Sequence, residues 1–168
     1  MIIIGIDPGY HIGIAIFFRE KLKELRTLPD KGFGDFRQWF RWFGHNYDIS
    51  DLCVIIECSY LNPARFRPAQ DRSAHGIRTA DATAARIVGY LEGYGDAYLD
   101  AQEGCALANH MQIHEIPPPL RGGRLSKVSP VIFQQLFPEY TGRSSEHSRD
   151  AALHARDWML KNKIKEGL

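Results

Sequence analysis

An aspartate set where an apolar run meets a turn is the feature that most constrains this chain. Ile2, Ile3, Ile4 and Ile6 form a run suited to a buried strand, and Asp7 follows directly in Ile-Gly-Ile-Asp-Pro-Gly. Pro8 and Gly9 are turn formers, and a second apolar run continues through Ile12, Ile14, Ile16, Phe17 and Phe18. Strand, tight turn, strand reads as a hairpin. A carboxylate on such a strand is costly to bury unless it is paired or bound to a metal. The rest of the chain is therefore read for groups able to share a cation with Asp7.

Leu22 to Leu28 reads as a third strand that extends the hairpin into a meander, ended by Pro29, Asp30 and Gly32. Phe33, Phe36, Phe40 and Phe43 recur at helical spacing and predict a helix over 33–43 with an aromatic core face. After a loop over 44–51, Leu52 to Glu57 reads as a buried strand ending in an acid. The polar, basic stretch 59–75 reads as a loop. From about Gly76, the residues Ile77, Ala80, Ala84, Ile87, Val88 and Leu91 form a helical stripe. Gly89, Gly93, Gly95 and Gly104 leave open one long kinked helix or two shorter ones. Gln112 to Ile116 reads as a strand stopped by three prolines, and Ser129-Pro130 as a helix start. Ser144 or Ser145 caps a final helix with Glu146 in its first turn. A meander followed by strand–helix units implies one α/β domain over 1–168, a mixed sheet flanked by helices.

The chain's 168 residues suit a single domain with its own core. No apolar run approaches the roughly 18 residues of a membrane span. The N-terminus carries no basic leader before an apolar stretch, so no signal peptide is expected. Cys53, Cys58 and Cys105 lack metal-ligand spacing and read as reduced thiols of a cytoplasmic protein. Net charge is only +1, so the distribution of charge is more informative than its sum. Arg65, Arg67, Arg72, Arg78 and Arg86 face only Asp71 and Asp81 between positions 62 and 86. Arg121, Arg124 and Lys127 form a second basic cluster. A polyanionic partner fits this pattern, with solvated surface charge as the plain alternative. Arg65, Arg67, Arg72, Arg78, Arg121 and Arg124 are the candidate phosphate contacts.

Asp7 has three candidate companions. Glu57 ends the strand after the first helix, while His147 and Asp150 open the last helix and share one face about a turn apart. The helix N-terminus favours the ionised carboxylate of Asp150. Oxygen donors suit Mg²⁺ or Mn²⁺, and a histidine tilts the set toward Mn²⁺. Two such ions about 3.5–4 Å apart can clamp the attacking water and leaving oxygen of a phosphodiester. Taken singly, each acid at a strand end reads as a turn or surface residue more readily than as a ligand, and His147 as a surface or capping residue.

Together, Ile-Gly-Ile-Asp-Pro-Gly with Gly13, Val54-Ile55-Ile56-Glu57, and His147-Ser148-Arg149-Asp150-Ala151-Ala152 resemble the RuvC family of Holliday junction resolvases from Met1 to about Trp158. The resemblance implies a ribonuclease H-like fold and a homodimer that nicks four-way DNA junctions in pairs. It implies Mg²⁺ or Mn²⁺, two per site, held by Asp7, Glu57, His147 and Asp150. Lys127 corresponds to a basic residue at the cleaved phosphate, and Tyr60 to an aromatic wedge that stacks on junction bases. The helical stretch after Gly76 is the candidate dimer interface. The arginine-rich 62–75 segment, the triple proline and Arg121-Gly122-Gly123-Arg124 resemble the phage-encoded branch, which often lacks accessory helicase partners. Three rival readings stand beside this one. The first is a related nuclease acting on flaps, forks or RNA. The second is an inactive DNA-binding relative. The third is an actin-like nucleotide-binding module, which needs a duplicated second domain for which this length leaves no room.

Overall fold

The computed structural model describes residues 1–29, 33–58, 73–100, 111–117 and 128–166. Among these, β1 (Ile2–Asp7), β2 (Ile12–Phe18), β3 (Lys21–Leu28), β4 (Leu52–Glu57) and β5 (Gln112–Ile116) form one sheet in the order β3-β2-β1-β4-β5. The meander β1–β2–β3 is antiparallel, whereas β1, β4 and β5 run parallel. The four described helices are α1 (Phe33–Asn46), α2 (Ser73–Asp100), α3 (Pro130–Leu136) and α4 (Glu146–Glu166). The fold is therefore α/β with a mixed sheet flanked by helices, an arrangement consistent with a ribonuclease H-like fold.

The period-2 alternation of side chains along a strand sorts the core into two halves. Ile4, Ile6, Ile12, Ile14, Ile16, Val54 and Ile56 pack with Phe36, Trp39, Phe40 and Phe43 of α1 and Ala84, Ile87 and Leu91 of α2. Ile3, Ala15, Phe17, Cys53 and Ile55 face the other way, against Phe133 of α3 and Ala151, Ala152, Ala155 and Met159 of α4. Both halves are sealed from solvent, which explains why β1 and β4 are near-continuous apolar runs rather than alternating ones.

Some boundaries differ from the sequence expectation. The strand β3 starts one residue earlier, at Lys21, and α1 runs three residues past Phe43. Tyr47 N–H donates to the Phe43 carbonyl at 2.9 Å, carrying the helical pattern across a stretch read as loop. The helix α2 starts at Ser73 and continues unbroken to Asp100, so Gly89, Gly93 and Gly95 do not divide it. A mid-helix glycine costs about 1 kcal/mol. Burial of Ala84, Ile87 and Leu91 against the sheet outweighs that local penalty. The two-residue turn between β2 and β3 puts Arg19 (φ 48°) and Glu20 (φ 67°) in the left-handed region, as the twist of a tight hairpin demands. Among the described residues, no helix is long and apolar enough to cross a membrane.

Candidate metal centre

The alternation that builds the core also aims the acids. Counting along β1, Ile3 faces α4, Gly5 lies beneath it, and Asp7 is next on that face. Along β4 the same count runs Cys53, Ile55, Glu57. The parallel register pairs Ile6 with Ile56, which brings Asp7 and Glu57 side by side at the carboxyl ends of neighbouring strands. Both carboxylates are largely covered, with side-chain exposures of 15% and 18%.

Helix α4 closes the site from above, and two glycines let it come close. A Cβ on Gly5 would lie 2.2 Å from the Ala151 carbonyl oxygen, and one on Gly13 2.2 Å from that of His147. Gly13 is the antiparallel partner of Asp7, so the first turn of α4 rests directly on the hairpin beside the aspartate. The helix start is fixed by Ser145. Its hydroxyl accepts from Ser148 N–H at 3.1 Å, while the Ser148 hydroxyl accepts from Ser145 N–H at 2.9 Å. This reciprocal pair satisfies amide donors that a helix N-terminus leaves open.

So positioned, His147 sets Nδ1 2.8 Å from Asp7 Oδ2, with its Nε2 3.8 Å from Glu146 Oε1. The His11 ring lies 5.8 Å from that of His147. Asp150 accepts a hydrogen bond from Val128 N–H at 3.2 Å. The neighbouring Arg149, itself buried, donates through Nε to the Val128 carbonyl at 2.9 Å and through Nη1 to Ser144. The first turn of α4 thus grips both polar groups of Val128, the residue that follows Lys127 in the chain.

One member of the site was not among the expected residues. His154, only 4% exposed, sits one turn beyond Asp150 with Nε2 2.5 Å from Glu57 Oε2. Ligand-capable atoms of Asp7, Glu57 and His154 all lie within 4.8 Å of one another. Burial alone would lower the His154 pKa. The Glu57 contact and the charges of Glu57, Asp7 and Asp150 outweigh it and hold the imidazole above its ordinary value. The available signal was helical spacing, because positions 147, 150 and 154 recur at three and four residues on one face of α4.

Of the expected site residues, Asp7 and Glu57 therefore converge, His147 contacts Asp7, and Asp150 lies close enough to bias His154 electrostatically. Arg78 lies on the backbone of α2. Tyr60, Arg65, Arg67, Arg72, Arg121, Arg124 and Lys127 lie outside the described residues. The donor set suits a divalent cation. Two carboxylates supply hard oxygens, and the buried His154 Nε2 has no hydrogen-bond partner among the described residues despite its closeness to Glu57. No family model, curated protein or solved structure matches the chain.

Proposed function

We propose that this chain is a metal-dependent endonuclease of the RuvC type that cleaves branched DNA, with the four-way junction as preferred substrate. The observation that carries this reading is the convergence of Asp7, Glu57 and His154 within 4.8 Å at the carboxyl ends of adjacent parallel strands, beneath His147. Covered carboxylates from distant parts of the chain, gathered at strand ends, suit phosphodiester hydrolysis better than they suit a structural role. Asp7 and Glu57, with His147 and Asp150 at the edge of the site, would hold Mg²⁺ or Mn²⁺. When bound, the metal pair supplies an activated water and neutralises charge building on the phosphate.

The chain's own residues do the rest. Asp7, held by His147, keeps one orientation at the end of β1. Asp150 and Arg149 anchor Val128, and Lys127, the residue before it in the sequence, would stabilise charge at the cleaved phosphate. The arginines at 65, 67, 72, 78, 121 and 124 would contact phosphates, and Tyr60 would stack on unpaired bases. Paired nicks on opposed strands imply a two-fold homodimer. The protein would act in the cytoplasm.

A nicking assay with Mg²⁺ or Mn²⁺ on four-way junction, flap, linear duplex and RNA–DNA hybrid tests the reading. Preferred, paired cleavage of the junction is expected. Preference for linear duplex would remove the junction-resolving function, and preference for flap or hybrid would assign the site to a related nuclease.

A further inference from the structure

His154 is a polar side chain in an unusual position. It is 4% exposed on the face of α4 that packs against the sheet, among Ala151, Ala152 and Ala155. Its Nε2 comes within 2.5 Å of Glu57 Oε2, yet the geometry is not that of a hydrogen bond. A histidine buried only to balance Glu57 would aim its N–H along the line to the carboxylate, because the bond weakens steeply away from that line. Here the nitrogen and the carboxylate oxygens of Glu57 and Asp7 converge on common space. Ligands of a single ion, each about 2.0–2.4 Å from it, lie within about 4–5 Å of one another, and the observed spread of 4.8 Å is of that size.

We propose that His154 is a direct metal ligand, completing with Asp7 and Glu57 a mixed nitrogen–oxygen site selective for Mn²⁺ over Mg²⁺. This rests on the reading of Asp7 and Glu57 as metal-binding residues and extends it to a third ligand and to the choice of ion. Imidazole nitrogen is a good donor to first-row transition ions and a poor one to Mg²⁺, which takes oxygen ligands and gives up its water reluctantly. One buried imidazole among carboxylates therefore biases the site toward the transition ion, independently of what His147 does at its rim.

The test uses the full chain without DNA. Calorimetric titration with MnCl₂ and MgCl₂ is run on the wild type, His154→Leu, His154→Gln and Asp7→Asn, with circular dichroism to confirm folding. His154→Leu and His154→Gln should weaken Mn²⁺ binding at least tenfold and Mg²⁺ binding less than threefold, collapsing the Mn²⁺/Mg²⁺ preference. Pulsed electron paramagnetic resonance on Mn²⁺-loaded His147→Leu should show coupling to a ¹⁴N nucleus, which a direct imidazole bond produces. Absence of that coupling overturns the proposal even if the His154 variants fail to fold. If Asp7→Asn abolishes Mn²⁺ binding but both His154 variants retain it, the metal site stands and the role of His154 falls. If the wild type binds no Mn²⁺, both fall.

Discussion

Adding one methyl group at Gly13 should disable the site without replacing any of its side chains. A Cβ there would lie 2.2 Å from the His147 carbonyl oxygen, 2.3 Å from its carbon and 2.8 Å from Ser148 N. All three are backbone atoms, so no side-chain rotation relieves the overlap. Real Cβ contacts essentially never fall below 3.0 Å, so α4 and the hairpin must part by at least 0.8 Å at this point. A shift of that size would stretch the 2.8 Å contact of His147 Nδ1 with Asp7 Oδ2 beyond hydrogen-bond range. Overpacking of a tight contact typically costs about 1–3 kcal/mol. A displacement near 1 Å at a catalytic site can cost on the order of 10²-fold in rate. Gly13→Ala should therefore lower stability by ~1–3 kcal/mol in urea denaturation and lower junction nicking about a hundredfold. Gly34→Ala, in the first turn of α1, is the control. That glycine is exposed with nothing within 4 Å of an added Cβ, so the change should stabilise α1 by up to about 1 kcal/mol and leave nicking unchanged. If Gly13→Ala matches the wild type in both assays, the close seating of α4 does not position the site.

Other expectations follow from single features of the fold. Arg19 holds φ 48°, a left-handed conformation that costs a side-chain-bearing residue about 1–2 kcal/mol, so Arg19→Gly should raise stability by about 1 kcal/mol in urea denaturation. In the metal-free protein, NMR titration of the imidazoles should find His154 above 6.5 and His114, whose burial disfavours the cation, below it. The signs differ accordingly. The His154 contribution to stability is fully present below about pH 6.5 and fades as pH rises through its folded pKa, whereas His114 makes folding less favourable as pH falls below about 6.5. The reverse order of the two titrations would refute the electrostatic picture of the site. Burial, and then the Asp51 charge, push the Cys53 thiol up to about 12. Peptide mapping after iodoacetamide treatment should accordingly find Cys53 unmodified at pH 8 until the protein unfolds.

How much of this was legible in the sequence differs from element to element. The limits of β4 and β5 could be read because Leu52–Glu57 is a continuous apolar run and the prolines from Pro117 stop the next strand. Placing Asp7 and Glu57 on the α4 face follows from counting alternate residues once the parallel pairing of β1 with β4 is known. That pairing is a long-range property, and no local pattern encodes it. The extent of α2 was obscured by its glycines, whose local cost is overridden by burial that only the tertiary fold supplies. His154 was hidden differently. It stands inside an alanine-rich apolar stripe, where a histidine reads as one more core position. Only the close seating of α4 over Gly5 and Gly13 brings it down onto Glu57. Gly13 itself looked like part of a hairpin motif, yet its role is steric, leaving room for the backbone of another element.

The central claim is that Asp7 anchors a metal-dependent cut in branched DNA. The most direct measurement compares wild type with Asp7→Asn, following both binding and Mn²⁺-dependent nicking of a four-way junction. The substitution keeps the size of the side chain and removes its charge, so junction binding should persist while nicking falls to background. Nicking by Asp7→Asn at the wild-type rate would contradict the claim.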